Sequence, residues 1–233
     1  MGKRIIQQRR GRGTSTYRVN KKAFIYRVRF PVKLQGEGIV ISLFNSRAHT
    51  APLAKIRDSN NQFFYIPAFK GMIEGQKISL DGKKVENGSI MRLGEIPIKT
   101  PIYCVESRPG DGGKLVKSGG NSAEISKVIG EDIFVLMPSK KEKKLHKNCR
   151  AIVGVVAGSG RLDKPIVKAG KQFYIKKSKN KLWPRTSAVK MNVIDHPFGS
   201  GRGKRIKSKV AKRNAPPGAR VGLIRPRRTG KVK

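Results

Sequence analysis

Three histidines, His49, His146 and His196, are the candidate general bases of this sequence. Nucleophilic catalysis sets a Ser, Cys or Thr beside such a base and orients the base with a third group. Only His196 follows a carboxylate directly, in Asp195-His196-Pro197, and adjacency alone does not orient a dyad. That tripeptide reads first as a turn. No G-x-S-x-G, Walker-type loop or H-E-x-x-H occurs. Acidic residues are scattered and mostly single, which disfavours paired-carboxylate chemistry. Cys104 and Cys149 belong to no C-x-x-C and have no His at ligand spacing. Neither a metal site nor a cofactor is expected. Two separated thiols fit a reducing compartment, where free cysteine is a small buried hydrophobe. The sequence points away from an enzyme.

What the chain offers instead is positive charge. It carries 53 Lys+Arg against 14 Asp+Glu, a formal net charge of +39 over 233 residues. Self-repulsion of this size calls for a polyanion as partner. Residues 1–36 hold 11 basic residues and no acidic one, residues 37–142 are net +3, and residues 143–233 are net +25. A nearly neutral middle that folds by itself, with arms that order against a polyanion, is the simplest reading.

Within the arms, some positions suit phosphate better than others. Arg9, Arg10 and Arg12 crowd a glycine-rich N-terminal stretch. Two glycine loops, Pro109–Gly120 and Gly199–Gly203, have the composition of backbone anion nests. The first competes with a reading as a plain flexible loop, and brings Lys114 and Lys117. The second, with Gly199, Gly201 and Gly203, is flanked by Arg202, Lys204 and Arg205. In the last stretch Pro216 and Pro217 hold the chain extended, while Arg213, Arg220, Arg225, Arg227 and Arg228 offer forked donors. Arg161 and His196 complete the expected RNA contacts. A localisation signal needs only about 5–8 basic residues, and this run is far longer.

The elements that must position these groups are β. Aromatic and β-branched runs occur at Ala23–Phe30, Gly38–Phe44, Leu53–Ile56, Gln62–Ala68, Lys77–Leu80 and Ile90–Leu93, separated by turn signals such as Asp58-Ser59-Asn60-Asn61. After Pro97–Pro101 come Ile102–Glu106, Ala123–Val128, Ile133–Met137, Lys143–His146 and Ala151–Val156. Short strands with glycine turns predict two small β-barrels or sandwiches. The expected organisation is a basic extension over 1–33, a first barrel over 34–97, a second over 98–182 and a basic Gly/Pro-rich extension over 183–233. Residues 171–181 read equally as a short basic helix or an extended connector. No apolar stretch approaches the roughly 20 residues of a membrane span, and none follows the N-terminal charges as in a signal peptide. No helix-turn-helix, zinc finger or basic zipper is visible, and no aromatic stripe of the RNA-recognition type appears on the β runs.

The segments QRRGRGTSTYR (8–18), VESRPGDGGK (105–114), CRAIVGVVAGSGRLDKPIVKAG (149–170), Trp183-Pro184, MNVIDHPFGSG (191–201), RNAPPGARVGLI (213–224) and RRTGK (227–231) run in order along nearly the whole chain. In them the sequence resembles the second universal protein family of the large ribosomal subunit, in its archaeal and eukaryotic form. The resemblance implies an oligonucleotide-binding-type barrel followed by an SH3-like barrel, with both termini threaded into ribosomal RNA. It implies a cytoplasmic, ribosome-bound primary rRNA binder that supports subunit assembly, subunit association and tRNA binding. Its partners would be large-subunit rRNA, neighbouring ribosomal proteins and the small subunit, with no membrane. The family's DHP segment approaches the peptidyl-transferase region, which makes His196 a positioning residue. Where the family usually shows V-R-G-V-A-M-N, residues 185–192 read RTSAVKMN, with Ser187 in place of glycine and Lys190 in place of a small apolar residue. The alternatives are a translation-factor-like module that visits the ribosome, an RNA-acting enzyme using Asp195-His196, and a DNA-packaging protein.

Overall fold

The computed structural model describes Arg18, residues 20–80, Gly82, 85–179 and 181–201, together with Val210, Ala211, Asn214 and 221–224. Residues Lys21–Val167 form one compact unit, and the described residues outside it group separately.

The compact unit is built on two antiparallel sheets. The first holds β1 (Glu37–Phe44), β2 (Leu53–Arg57), β3 (Phe63–Pro67) and β4 (Lys77–Ser79), in the order β3-β2-β1-β4. The β2–β3 turn forms because the Asp58 carboxylate accepts the backbone N–H groups of Asn60 (3.0 Å) and Gln62 (2.8 Å). Asn61 takes the left-handed backbone that asparagine tolerates, at φ 57°. The second sheet holds β5 (Ile90–Arg92), β6 (Pro101–Tyr103), β7 (Ala123–Ile129), β8 (Asp132–Leu136), β9 (Glu142–His146) and β10 (Arg150–Val153). Its order is β5-β10-β6-β7-β8-β9. The chain is thus mainly β, consistent with an oligonucleotide-binding-type barrel followed by an SH3-like one, and both sheets are open.

The two cores meet across shared strands. Phe30, Val40, Ile56, Phe64, Ile66 and Ile78 belong to the first core, with Ile90, Tyr103 and Ile152 from the second sheet. The neighbours of those last three, Met91, Ile102, Ala151 and Val153, belong to the second core with Ile125, Ile133 and Val135. Strands β5, β6 and β10 are therefore covered on both faces. That is why 151–156 reads as a run without a charged residue instead of an alternation. Ile90–Arg92 precedes Pro97, yet pairs with β10 at Ile90↔Ile152 and Arg92↔Arg150.

Two segments differ from the pattern in the letters. The run Ala23–Phe30 predicts a strand, and the structure gives only bridges from Val28 and Arg29 to Tyr65. Phe24 sits at φ 56°, which breaks the extended path, and Pro31 has no N–H to continue a ladder. Phe30 ends the run fully buried. Residues Ala169–Ser178 form an α-helix, α2, with no buried residue and with Lys176 and Lys177 in its last turn.

A buried ion pair ties these parts together. Glu106 is 0% exposed. Its Oε1 accepts Gly112 N–H (2.9 Å) and Arg150 Nη2 (2.9 Å), and its Oε2 accepts Gly110 N–H (3.2 Å) and Arg150 N–H (2.9 Å). Arg150 Nη1 donates to the carbonyls of Pro31 and Val32, both at 3.0 Å. Its guanidinium also lies 4.9 Å from the Phe30 ring centroid. Beside the pair, Gly113 is at φ 83°, and a Cβ there would stand 2.5 Å from the Cys104 carbonyl and 2.8 Å from Phe30.

Glu106→Ala removes the acceptor from a mostly covered cation and three backbone N–H groups, and the expected loss is about 3 kcal/mol in a denaturant titration of the full chain. Gly113→Ala combines left-handed strain with overpacking, and should cost at least about 2 kcal/mol by the same titration.

Candidate nucleic-acid interface

The first glycine loop has the shape of an anion nest, and the anions in it are the protein's own. Gly110 and Gly112 donate to Glu106, and Gly113 N–H donates to Asp111 Oδ1 at 3.1 Å. Asp111 Oδ2 accepts Ser107 N–H (3.0 Å), Ser107 Oγ (2.6 Å) and Arg108 N–H (3.2 Å). Burial alone would raise the Asp111 pKa; the hydrogen bonds from Ser107, Gly113 and Arg108 outweigh it and hold the carboxyl below its ordinary value. The loop is neither a plain flexible connector nor a set of free N–H groups awaiting phosphate. Its glycines are dictated by internal packing.

Three of the expected contact residues sit on or beside this loop. Lys114 is exposed, with Nζ 3.5 Å from Asp111 Oδ2. Lys117 Nζ donates to the Val28 carbonyl at 3.3 Å and so holds the 28–30 segment. Arg161, in the short helix α1 (Gly160–Asp163), donates from Nη2 to the Gly119 carbonyl at 3.0 Å. Gly119 N–H in turn donates to Thr50 Oγ1 at 3.1 Å. The His49 ring lies nearby with its pKa lowered, first by burial and then by the Lys117 charge. Lys117 and Arg161 thus brace backbone as well as presenting charge.

The second loop is described as far as Gly201. Asp195 and His196 donate their N–H groups to the Asn192 carbonyl, at 3.0 and 3.2 Å, and Gly199 donates to the His196 carbonyl at 2.8 Å. Ser200 N–H closes back on the Met191 carbonyl at 3.2 Å. A Cβ on Gly199 would collide with the carbonyls of Asn192 and Met191, so only glycine lets this loop close. His196 Nδ1 accepts the Phe198 N–H at 3.1 Å. The ring proton of the neutral imidazole is therefore on Nε2. A Ser–His–Asp base has the opposite arrangement, with Nδ1–H donated to a carboxylate. The His196 ring is partly exposed and packs against Phe198, with centroids 5.1 Å apart. Upstream, Ser187 opens a 3-10 turn over Ala188–Lys190, closed by Lys190 N–H to the Ser187 carbonyl at 2.9 Å. Arg9, Arg10, Arg12, Arg202, Gly203, Arg205, Arg213, Arg220, Arg227 and Arg228 lie outside the described residues.

Both thiols are free and buried. Burial pushes the Cys104 thiol up to about 12 and raises that of Cys149. Among the described residues no group of three or more His, Cys, Asp or Glu could hold a metal ion, and no helix is long and apolar enough to cross a membrane. The letters left one set of candidates unseen, the cations Lys55 and Arg57 on β2. They stand opposite Tyr65 and Phe63 of β3. The alternation in QFFYIP, which puts Phe63 and Tyr65 on one face, is the signal that could have found them.

The family model for the C-terminal domain of Ribosomal Proteins L2 matches residues 86–218, more than half of the chain. Three proteins named large ribosomal subunit protein uL2 are similar from end to end. Those of Archaeoglobus fulgidus, Methanococcus maripaludis and Hyperthermus butylicus are 41%, 42% and 42% identical to it. The alignments cover 99%, 99% and 100% of this chain, and 99%, 100% and 100% of those relatives. Likeness of this extent runs through both sheets and both basic arms, and the chain belongs to the uL2 family of large ribosomal subunit proteins.

Proposed function

We propose that this protein is a structural constituent of the large ribosomal subunit, binding ribosomal RNA and performing no chemistry of its own. The observation that carries the reading is end-to-end similarity to proteins named for that subunit, basic arms included. Electrostatics supports it. The middle of the chain is net +3 and neutralises its buried carboxylates internally, while residues 143–233 carry +25. The excess charge is available to phosphate.

In this reading the two β units select a folded RNA surface, and the extensions over 1–33 and 183–233 clamp it. Lys114 and the arginines of both arms neutralise phosphates, while Lys117 and Arg161 do so from braced positions. The loop 191–201 presents His196 Nε2–H as a positioning donor near the peptidyl-transferase region. Supporting subunit assembly, contact with the small subunit and tRNA binding follow from such a place. The protein would work in the cytoplasm, bound to the ribosome and to neighbouring ribosomal proteins.

If about 15 phosphates are engaged, log K for large-subunit rRNA should fall with log salt at a slope on the order of −10. Changing Arg225, Arg227 and Arg228 together to Gln should flatten that slope by roughly 2. Equal affinity for duplex DNA and rRNA across the series would reduce the chain to an unspecific polycation. His196→Ala subunits should assemble and form peptide bonds at the normal rate. A large loss in the peptide-bond step alone would restore the reading of His196 as a base.

A further inference from the structure

The first sheet has an outer face that the rRNA-binding reading does not use. Residues opposite one another on neighbouring strands point to the same side. Phe64, Ile66, Ala54, Ile56 and Val40 point into the first core. Phe63, Tyr65, Lys55 and Arg57 therefore point away from it, paired as Arg57↔Phe63 and Lys55↔Tyr65.

A β-bulge adds a further ring. The β1–β2 register shifts between Val40, opposite Ile56, and Ser42, opposite Lys55. Without the shift, Phe44 would share the inward side of Val40. With it, Leu43 packs inward and Phe44 joins the outer face. Tyr26 then packs against both Phe44 and Tyr65, with ring centroids 4.7 and 4.9 Å away. These rings come from three separate stretches of chain, so no single run shows them as a stripe.

Phe63 stands beside this cluster 53% exposed. Lys55 Nζ lies over its ring at 4.2 Å from the centroid. A groove of about 630 Å³ runs alongside, lined by Ile25, Tyr26, Arg27, Arg29, Phe63 and Tyr65 among others, with no carboxylate in its lining. Aromatic faces interleaved with cations suit nucleobases joined by phosphates. A strand-adding peptide fits less well. At Tyr65 the outer edge of β3 is already taken by Arg29 N–H, which donates to the Tyr65 carbonyl at 3.1 Å.

We propose that this face, centred on Phe63 and Tyr65, is a stacking platform for unpaired bases of RNA. Lys55, Arg57 and Arg27 bind the phosphates on either side. Phe63 and Tyr65 are two residues apart on one strand, about 7 Å, which gives each ring its own base. An arriving base displaces the Lys55 ammonium from the Phe63 ring towards a phosphate. The platform rests on the rRNA-binding reading above and adds to it a class of ligand, the unpaired nucleotide.

The test uses the full chain and large-subunit rRNA over a salt series. Phe63→Leu keeps an apolar side chain and removes the π face. It should weaken binding on the order of tenfold at every salt concentration with the slope unchanged, since stacking releases no counterions. Lys55→Gln with Arg57→Gln should instead flatten the slope by about 1.4. In the unsubstituted complex, ultraviolet irradiation should leave a nucleotide adduct on the peptide spanning 58–70. Selective rRNA binding by the parent chain, with Phe63→Leu identical to it throughout, overturns the platform and leaves the rRNA-binding reading standing. So does a photoproduct joining 58–70 to another ribosomal protein with no nucleotide on it. A parent chain that binds duplex DNA as well as rRNA overturns both.

Discussion

A carboxylate removed from water must find donors, and Glu106 finds them in two places, one beside it in the chain and one 44 positions on. The loop after it supplies the N–H groups of Gly110 and Gly112, and β10 supplies Arg150. Arg150 then reaches the carbonyls at Pro31 and Val32. Such a pair contributes little net stability over a well-packed apolar replacement. What it contributes is specificity. The desolvated pair is satisfied only when the 30–32 segment, the glycine loop and the second sheet are all in register. Phe30 enters the first core as part of the same arrangement, stacked beneath the guanidinium.

This constraint separates the charges that fold the protein from those that face outward. Glu106 and Asp111 are consumed by loop N–H groups, and Lys117 and Arg161 brace carbonyls. Exposed acids are matched locally, as with Lys144 and Asp132 at 2.7 Å on the β8–β9 hairpin. Lysines along β9 also shield that edge of the sheet from pairing with another chain. Inside the compact unit the buried carboxylates are thus matched by the protein's own donors.

Most strands were legible because apolar periodicity and turn chemistry are local. Asp58–Asn61 and the places of β1 to β10 follow from residues a few positions apart, although β6 ends at Tyr103 and β10 at Val153, each three residues short of the run in the letters. The failures share a cause. Ala23–Phe30 has strand composition, yet has only Tyr65 to pair with, so propensity loses to the lack of a partner strand. The Glu106–Arg150 pair spans 44 positions, and nothing in the letters marks Glu106 as buried. The aromatic face depends on a bulge that reverses the side of Phe44, and a period-two pattern read without a register cannot show it. Residues 171–181 have a helix-neutral composition with no apolar stripe, so only the structure decides for α2. Of the candidate site, the charged positions were visible from type alone. Which of them already hold backbone in place was not.

The sharing of β5, β6 and β10 between the two cores bears on modularity. A domain is an evolutionary unit when it can be cut out, duplicated or grafted without exposing its interior. Here the wall between the barrels belongs to both, and Ile90–Arg92 lies before the linker while pairing after it. Severing the chain at residue 97 would part β5 from β10 and uncover Ile90 and Tyr103 together. By its pairing Ile90–Arg92 belongs to the second sheet, and the family model for the C-terminal domain likewise begins ahead of it, at residue 86.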